Sequence, residues 1–260
     1  MTSQYDLVED HLRALTGSTV RTKIILSLLE GPQVISELSG HIGSSASTLL
    51  HSIKALQKDG AVGQGPTYGL THAGRIKALA LNDLIKVLAV VSQSEQFWQS
   101  HDLSGIPRSL QADIGKLDGA TLIQNSPTDP LASQTAFMDA VLRAKEVRRV
   151  SGIIAPGYQD MILSILEMGA KVSLILTRMV IERIEAGALK AALADDNFTL
   201  YEIDDVRMGF SVTNELVTIA LYRLDGSYDP QQDLICEGPD AVLWGEELFE
   251  YYRGQAHIFT

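Results

Sequence analysis

Residues 34–70, VISELSGHIGSSASTLLHSIKALQKDGAVGQGPTYGL, decide how the N-terminal part of the chain folds. The stretch opens on VISELSGHI, where Ile35, Leu38 and Ile42 recur at helical spacing. Gly43-Ser44 supplies a turn. SASTLLHSIKALQK then predicts a second helix over residues 45–58, with Gly60 just beyond it as the glycine that ends a helix. AVGQGPTYGL reads as a hairpin in which Ala61-Val62 pairs with residues 67–70 around Gly63-Gln64-Gly65-Pro66. Helix, turn, helix and hairpin in that order predict a winged helix-turn-helix. In such a domain the second helix lies in the DNA major groove and the hairpin lies beside it.

The 45–58 helix divides into two faces. Ala46, Leu49, Ile53 and Leu56 follow the helical period and are expected toward the core. Ser47, His51, Lys54 and Lys58 fall on the opposite side, flanked by Thr48 and Ala55. Small polar residues first, then a histidine and two lysines, suit a helix that meets base edges at its start and phosphates further on. A polar outer stripe alone fits any surface helix, and a glycine-rich hairpin alone fits any turn. The complete order, with a further helix ahead of it (helix, helix, Gly-Ser turn, helix and wing within about 55 residues), is what favours the winged helix. The alternative is an adaptor whose winged helix docks on protein instead of DNA.

Upstream, a short helix is expected over residues 6–15 and a stronger one over residues 18–29. Ser18 is the N-cap of the second and Gly31-Pro32 its stop. The net charge of −11 runs against nucleic-acid binding, but it is unevenly spread. Residues 20–77 hold six Lys or Arg and three Asp or Glu, a local +3, whereas residues 101–260 hold 13 and 24. Screening confines the field to about 10 Å, so the local charge is the relevant one. The single cysteine, Cys236, excludes an intrachain disulfide, fits a reducing cytoplasm and reads as a buried core residue. No signal peptide is read in MTSQYDLVED, and charges interrupt the most apolar helical stretch, so no membrane span is expected.

Residues 71–99 predict one long helix with an apolar stripe of Ile76, Ala80, Leu84, Val87 and Val91, and with Leu81, Ile85 and Leu88 beside it. That width suits packing within the subunit or pairing with a second copy, and the homodimer is favoured. Residues 101–119 carry turn signals and are expected to be a hinge. Beyond them strands and helices alternate. Strands are expected at 122–124, 147–155, 171–177, 198–202, 210–213, 217–222 and 233–236. Helices are expected at 130–146, 158–168, 180–193 and 239–253. The fold class is therefore α+β overall. A winged helix-turn-helix occupies 1–75, a linker and dimerisation helix with its hinge 76–119, and an α/β sensor or output domain with a mainly parallel or mixed sheet 120–260.

Several motifs carry a family resemblance: TVRTKIILSLLEG, STLLHSIKALQKDG, YGLTHAGR and FWQSHDLSGIP in the first half, and APGY, GAKVSLILT, LDGSYD and WGEELFEYYR in the second. On these the chain resembles the archaeal winged-helix regulators that carry a methanogen output domain. The resemblance implies a transcription regulator that contacts double-stranded DNA through its second helix and wing. Ser45, Ser47, Thr48, His51, Ser52, Lys54, Lys58, Gln64, Thr67 and Tyr68 are the residues assigned to that contact. It carries no established ligand with it.

The strand and helix alternation is also similar to half of a phospholipase D-like scaffold. That chemistry needs a His and a Lys two apart, and none of the six histidines has a Lys at that spacing. Nor is there a Walker loop, G-x-S-x-G, H-E-x-x-H or C-x-x-C, so no catalytic residue, cofactor or metal is assigned. Asp225, Asp229 and Asp233 have calcium-loop spacing without the loop's glycine and closing glutamate, and read as an acidic turn. A small-molecule effector or a partner protein is expected at the second domain. Thr177 and Arg178 end a buried strand, at the edge where open α/β sheets bind ligands. Arg207 is placed to pair with the acidic turn. Tyr158 and Trp244 complete the candidate ligand set, though the aromatic cluster of the last helix reads first as packing.

Overall fold

The computed structural model describes residues 3–259. They form two compact units, divided between Ile85 and Lys86.

The first unit is helical. Helix α1 (Gln4–Thr16) starts at Ser3 with a capping box closed by Asp6. Helix α2 (Thr19–Ser27) follows Ser18, whose side chain makes no capping bond. Helix α3 (Ile35–Ile42) stops at Gly43, which turns left-handed at φ 72°, a conformation glycine enters without steric cost. Helix α4 (Ala46–Lys58) begins at Ser45, whose hydroxyl accepts from the Thr48 amide. Ile24, Ile25, Leu28, Leu38, Leu49, Ile53 and Leu56 meet in one core. Each is at most 2% exposed, and burial of such a side chain contributes about 1.5–3 kcal/mol. Ala46, expected among them, is exposed, and Ser52 takes a place on the inner face instead. At the start of a helix the first turn projects beyond the neighbour it packs on, so the apolar period has nothing to cover it there.

The wing is small. Val62 pairs with Leu70, and the Gly63 amide donates to the Gly69 carbonyl. A third strand residue, Gln33, exchanges both backbone bonds with Tyr68 and ties the returning arm to the segment before α3. Helix α5 (His72–Gln93) then begins. It does not run on to residue 99. Ser94 leaves the helical region at φ −134°, ψ 43°, and α6 (Glu95–Ser100) restarts after it. After the break Phe97 and Trp98 are both buried, and the Trp98 indole donates to the Val90 carbonyl.

In the second unit the expected hinge is packed structure. Helix α7 (Arg108–Ala112) and a 3-10 turn (Ile114–Leu117) bury Ile106, Leu110, Ile114 and Leu117 in the core. The turn residues were read correctly as turns, but the apolar residues between them anchor the segment. Eight strands follow in one mixed sheet among the described residues: β1 (Thr121–Gln124), β2 (Glu146–Ser151), β3 (Lys171–Thr177), β4 (Phe198–Ile203), β5 (Met208–Thr213), β6 (Leu216–Leu221), β7 (Gln232–Glu237) and β8 (His257–Ile258). Their order is β1-β7-β6-β5-β2-β3-β4-β8. Only β2, β3 and β4 pair in parallel; every other neighbour is antiparallel. The helices are α8 (Ala132–Leu142), α9 (Tyr158–Glu167), α10 (Arg178–Ile181), α11 (Ala186–Leu193) and α12 (Pro239–Arg253). The helix expected over 180–193 is thus two pieces, with extended backbone at Glu185 between them.

The two faces of the sheet differ in kind. On one, Met208, Phe210, Val212, Val217, Ile219 and Leu221 pack with Trp244, Leu248 and Phe249 of α12. On the other, α9 and α11 cover the parallel strands through Ile162, Ile165 and Ala192. The antiparallel strands present small or polar residues there: Gly209, Ser211 and Thr213 from β5, Thr218 and Ala220 from β6.

Candidate functional site

The outer face of α4 is free. Ser47, Thr48, His51, Lys54 and Lys58 are all exposed, and among the described residues neither lysine has a carboxylate within ion-pair distance. The basic groups nearest in kind are engaged elsewhere: Lys77 Nζ lies 2.7 Å from Asp59 and His11 2.5 Å from the same carboxylate. Ser45 is exposed but spends its hydroxyl on the helix start, 2.9 Å from the Thr48 hydroxyl. Gln64 and Thr67 are exposed at the tip of the wing, while Tyr68 is half-buried against the core. Ser52 does not join this face. It is 5% exposed beside Leu49 and Ile53, because position 52 follows Leu49 by three residues and so shares its side of the helix. What remains is a convex helix with hydroxyls at its N-terminal end, a histidine and two unpaired ammonium groups further on, and polar hairpin residues at the wing. This arrangement can hydrogen-bond and neutralise a phosphate backbone.

The candidate ligand residues do not form one site. Thr177, Arg178 and Arg207 line a cavity of about 520 Å³ at the C-terminal edge of the parallel strands, together with Asp102, Asp204 and Asp205. Its arginines are already paired. Arg207 lies 3.3 Å from Asp205 and 4.0 Å from Asp102, and Arg178 3.6 Å from Glu202. Hydrogen bonds from the Ser104 amide and hydroxyl hold Asp102 below the usual carboxylate range. Among the described residues Arg207 thus makes no ion pair with the carboxylates of the 225–233 turn, although Gly226 of that turn lines the same cavity. Nor do that turn's carboxylates converge: Asp225 accepts from Ser227, and Asp229 from Arg223, the Gln231 amide and His101. Trp244 is fully buried, its indole donating to the Leu110 carbonyl at 2.9 Å, so it is a core residue. Tyr158 lies apart from both, buried on the α9 side with its hydroxyl unpartnered and its pKa pushed up to about 12 by burial. Two further residues stand out: Arg149, which the sequence reading missed, and Asp233, read as part of an acidic turn but placed in β7. The signal was available: RVSGIIA places an arginine inside a strand read as buried.

Comparison with known proteins bears on these surfaces. The description "Methanogenesis regulatory protein FilR1, N-terminal domain" matches residues 9–89, and "Methanogenesis regulatory protein FilR1, middle domain" matches residues 130–255. The chain belongs to the FilR1 family. A curated relative, methanogenesis regulatory protein FilR1 of Methanothrix harundinacea (strain 6Ac), is 27% identical over 95% of this chain. The chain spans 57% of that relative's length. Among solved structures, the archaeal chromatin protein TrmBL2 is similar over 96% of this chain and 98% of its own, at 16% identity and a TM-score of 0.45. The phospholipase D family member Nuc from Salmonella typhimurium covers 54% of this chain and 98% of its own, at 11% identity and a TM-score of 0.40. Both are loose likenesses. The family is one of regulatory proteins, and no helix of the described residues is long and apolar enough to cross a membrane.

Proposed function

We propose that this family member is a DNA-binding transcription regulator that works as a homodimer and takes its signal through the second unit. One observation carries the reading. The α4 face with Ser47, His51, Lys54 and Lys58 is exposed and unpaired, although the chain has acidic residues to spare. The regulatory role printed for the family agrees with it. The dimer is supported by the apolar stripe of α5, where Ile76, Leu84, Leu88 and Val91 remain exposed at helical spacing. The division into a winged helix-turn-helix and a sensor or output domain belongs to the same reading, in which the effector biases two arrangements of the recognition helices.

Binding to genomic fragments, measured against salt concentration, tests it. With two lysines contacting phosphate, Lys54→Ala/Lys58→Ala flattens the slope of log K against log salt by roughly two. A double variant that binds as tightly as the wild type with an unchanged slope would falsify the assignment. Tight, salt-insensitive capture of protein with no DNA retention would favour the adaptor instead.

A further inference from the structure

The structure carries a second chamber, on the face of the sheet where β5 and β6 present small residues. It has a volume of about 270 Å³ and lies against Arg149 of β2, Gly209 of β5, Thr218 of β6 and Asp233 of β7, with Phe137 of α8 and Tyr228 closing it. Arg149 is the unusual member. It sits in the middle of the sheet, 8% exposed. Its guanidinium reaches the Ser211 hydroxyl at 2.9 Å and the Ser151 hydroxyl at 3.5 Å, and it packs 4.5 Å from the centre of the Phe137 ring and 5.0 Å from that of Tyr158. Its Nε has no partner, and among the described residues no carboxylate lies within ion-pair distance of it. Arginine does not shed its proton, so a buried guanidinium held by hydroxyls and rings leaves its desolvation unrecovered until an anion arrives.

The nearest acid does not fill that role. Asp233 stands on β7, three strands across the sheet from β2, and among the described residues it makes no ion pair with the guanidinium; burial pushes its carboxyl up to about 6 against the opposing pull of Arg149, and it is left as a hydrogen-bonding group at the far wall. Phe137, Ile154, Pro156 and Ala220 supply apolar wall between the polar groups of Ser133, Gln134 and Thr218. At about 30 Å³ per water, the space equals about nine waters. A planar fork with a free N–H matches a carboxylate, and the apolar walls match a short hydrocarbon body.

We propose that this chamber binds a small organic carboxylate, with Arg149 as its counter-ion and Asp233 facing a donor at its other end. The inference rests on the reading of the second unit as the input domain, and gives that input a place and a chemical class.

The test is thermal unfolding of the full chain without DNA, in butyrate, 3-hydroxybutyrate and 4-aminobutyrate, with butyramide and inorganic phosphate as controls. At least one carboxylate gives a saturable rise of roughly 2–4 °C, while butyramide and phosphate give none. Arg149→Gln weakens the response at least tenfold. Because that change touches a buried group, Gly209→Leu provides an independent check. A Cβ at Gly209 meets nothing nearer than 3.9 Å, so the leucine grows into the chamber, and the folded variant loses the response with Arg149 intact. The proposal is overturned if no carboxylate gives a saturable rise, if phosphate does as well as the carboxylates, or if the response survives Gly209→Leu. DNA retention with and without the active carboxylate is scored separately: no change there refutes the sensing role and leaves the binding site standing.

Discussion

Asp233→Asn is expected to make the second unit more stable at neutral pH and no more stable at pH below 4. Asp233 faces the interior side of β7 among Arg149, Ser133, Asp229 and Tyr228. Desolvation dominates there, and the carboxyl rises from the ordinary 3.8 to about 6. Tyr228, itself pushed up to about 12 by burial, stays neutral throughout the range. The sign follows from proton counts. Between pH 3.8 and 6 the unfolded chain has released the Asp233 proton while the folded chain retains it, so stability falls as pH rises and the penalty is complete above about 6. Two pH decades at about 1.4 kcal/mol each make about 3 kcal/mol. Asparagine mimics the protonated form at every pH and escapes the penalty. At roughly 2–4 °C per kcal/mol for a unit of this size, the variant melts about 6–12 °C above wild type at pH 7. The gap closes toward pH 4. Calorimetric melting of both proteins from pH 4 to 8 measures it. A gap independent of pH would show that folding does not shift the Asp233 carboxyl, and one that reverses, so that wild type gains on the variant as pH rises, would show that Arg149 holds Asp233 as an ion; either result refutes burial as the controlling cause.

Two further outcomes follow from packing. A Cβ added at Gly74 would lie 1.9 Å from the Ala61 carbonyl oxygen and 2.7 Å from its carbon. Gly74→Ala must therefore push the start of α5 off the wing, at a cost of about 2–3 kcal/mol; chemical denaturation that shows a loss under 0.5 kcal/mol contradicts the contact. Leu84→Glu/Leu88→Glu puts two charges on the exposed stripe of α5, and should convert a dimer to monomers in sedimentation at micromolar concentration without lowering helix content. Unchanged sedimentation would place the dimer contact elsewhere.

The winged helix was legible because its punctuation is local. Gly43 and Gly60 end helices by backbone geometry alone, and both have positive φ in the structure; Ser45 caps by its own hydroxyl. The strands from β3 to β7 were legible for a similar reason, as short apolar runs between turn residues. What escaped depends on contacts distant in sequence. The stop at Ser94 carries no local punctuation: the restarted helix docks through Phe97 and Trp98 on a core whose other members lie far along the chain. The 101–119 segment reads as a hinge by composition, yet the Tyr252 hydroxyl donates to the Gly105 carbonyl and the Trp244 indole to that of Leu110. Ser52 is small enough to sit inside despite its hydroxyl. Of the ligand candidates, Thr177 and Arg178 stand at the strand ends, where Arg207, expected at the acidic turn, joins them; their ion pairs could not be read from spacing. Arg149 was read only as part of a strand, because the alternation of large and small residues across β5 and β6 acquires meaning only once β2 is known to lie beside them.

The order of the strands also bears on how the molecule keeps to itself in a crowded cell. An outermost strand offers unpaired amides and carbonyls to any neighbour able to extend the sheet. Here the two flanks are the shortest strands of all, four residues in β1 and two in β8. The apolar ladders of β3, β5 and β6, which would make the best templates for runaway pairing, are enclosed between partners on both sides. The sheet thus ends in pieces too brief to recruit a stranger.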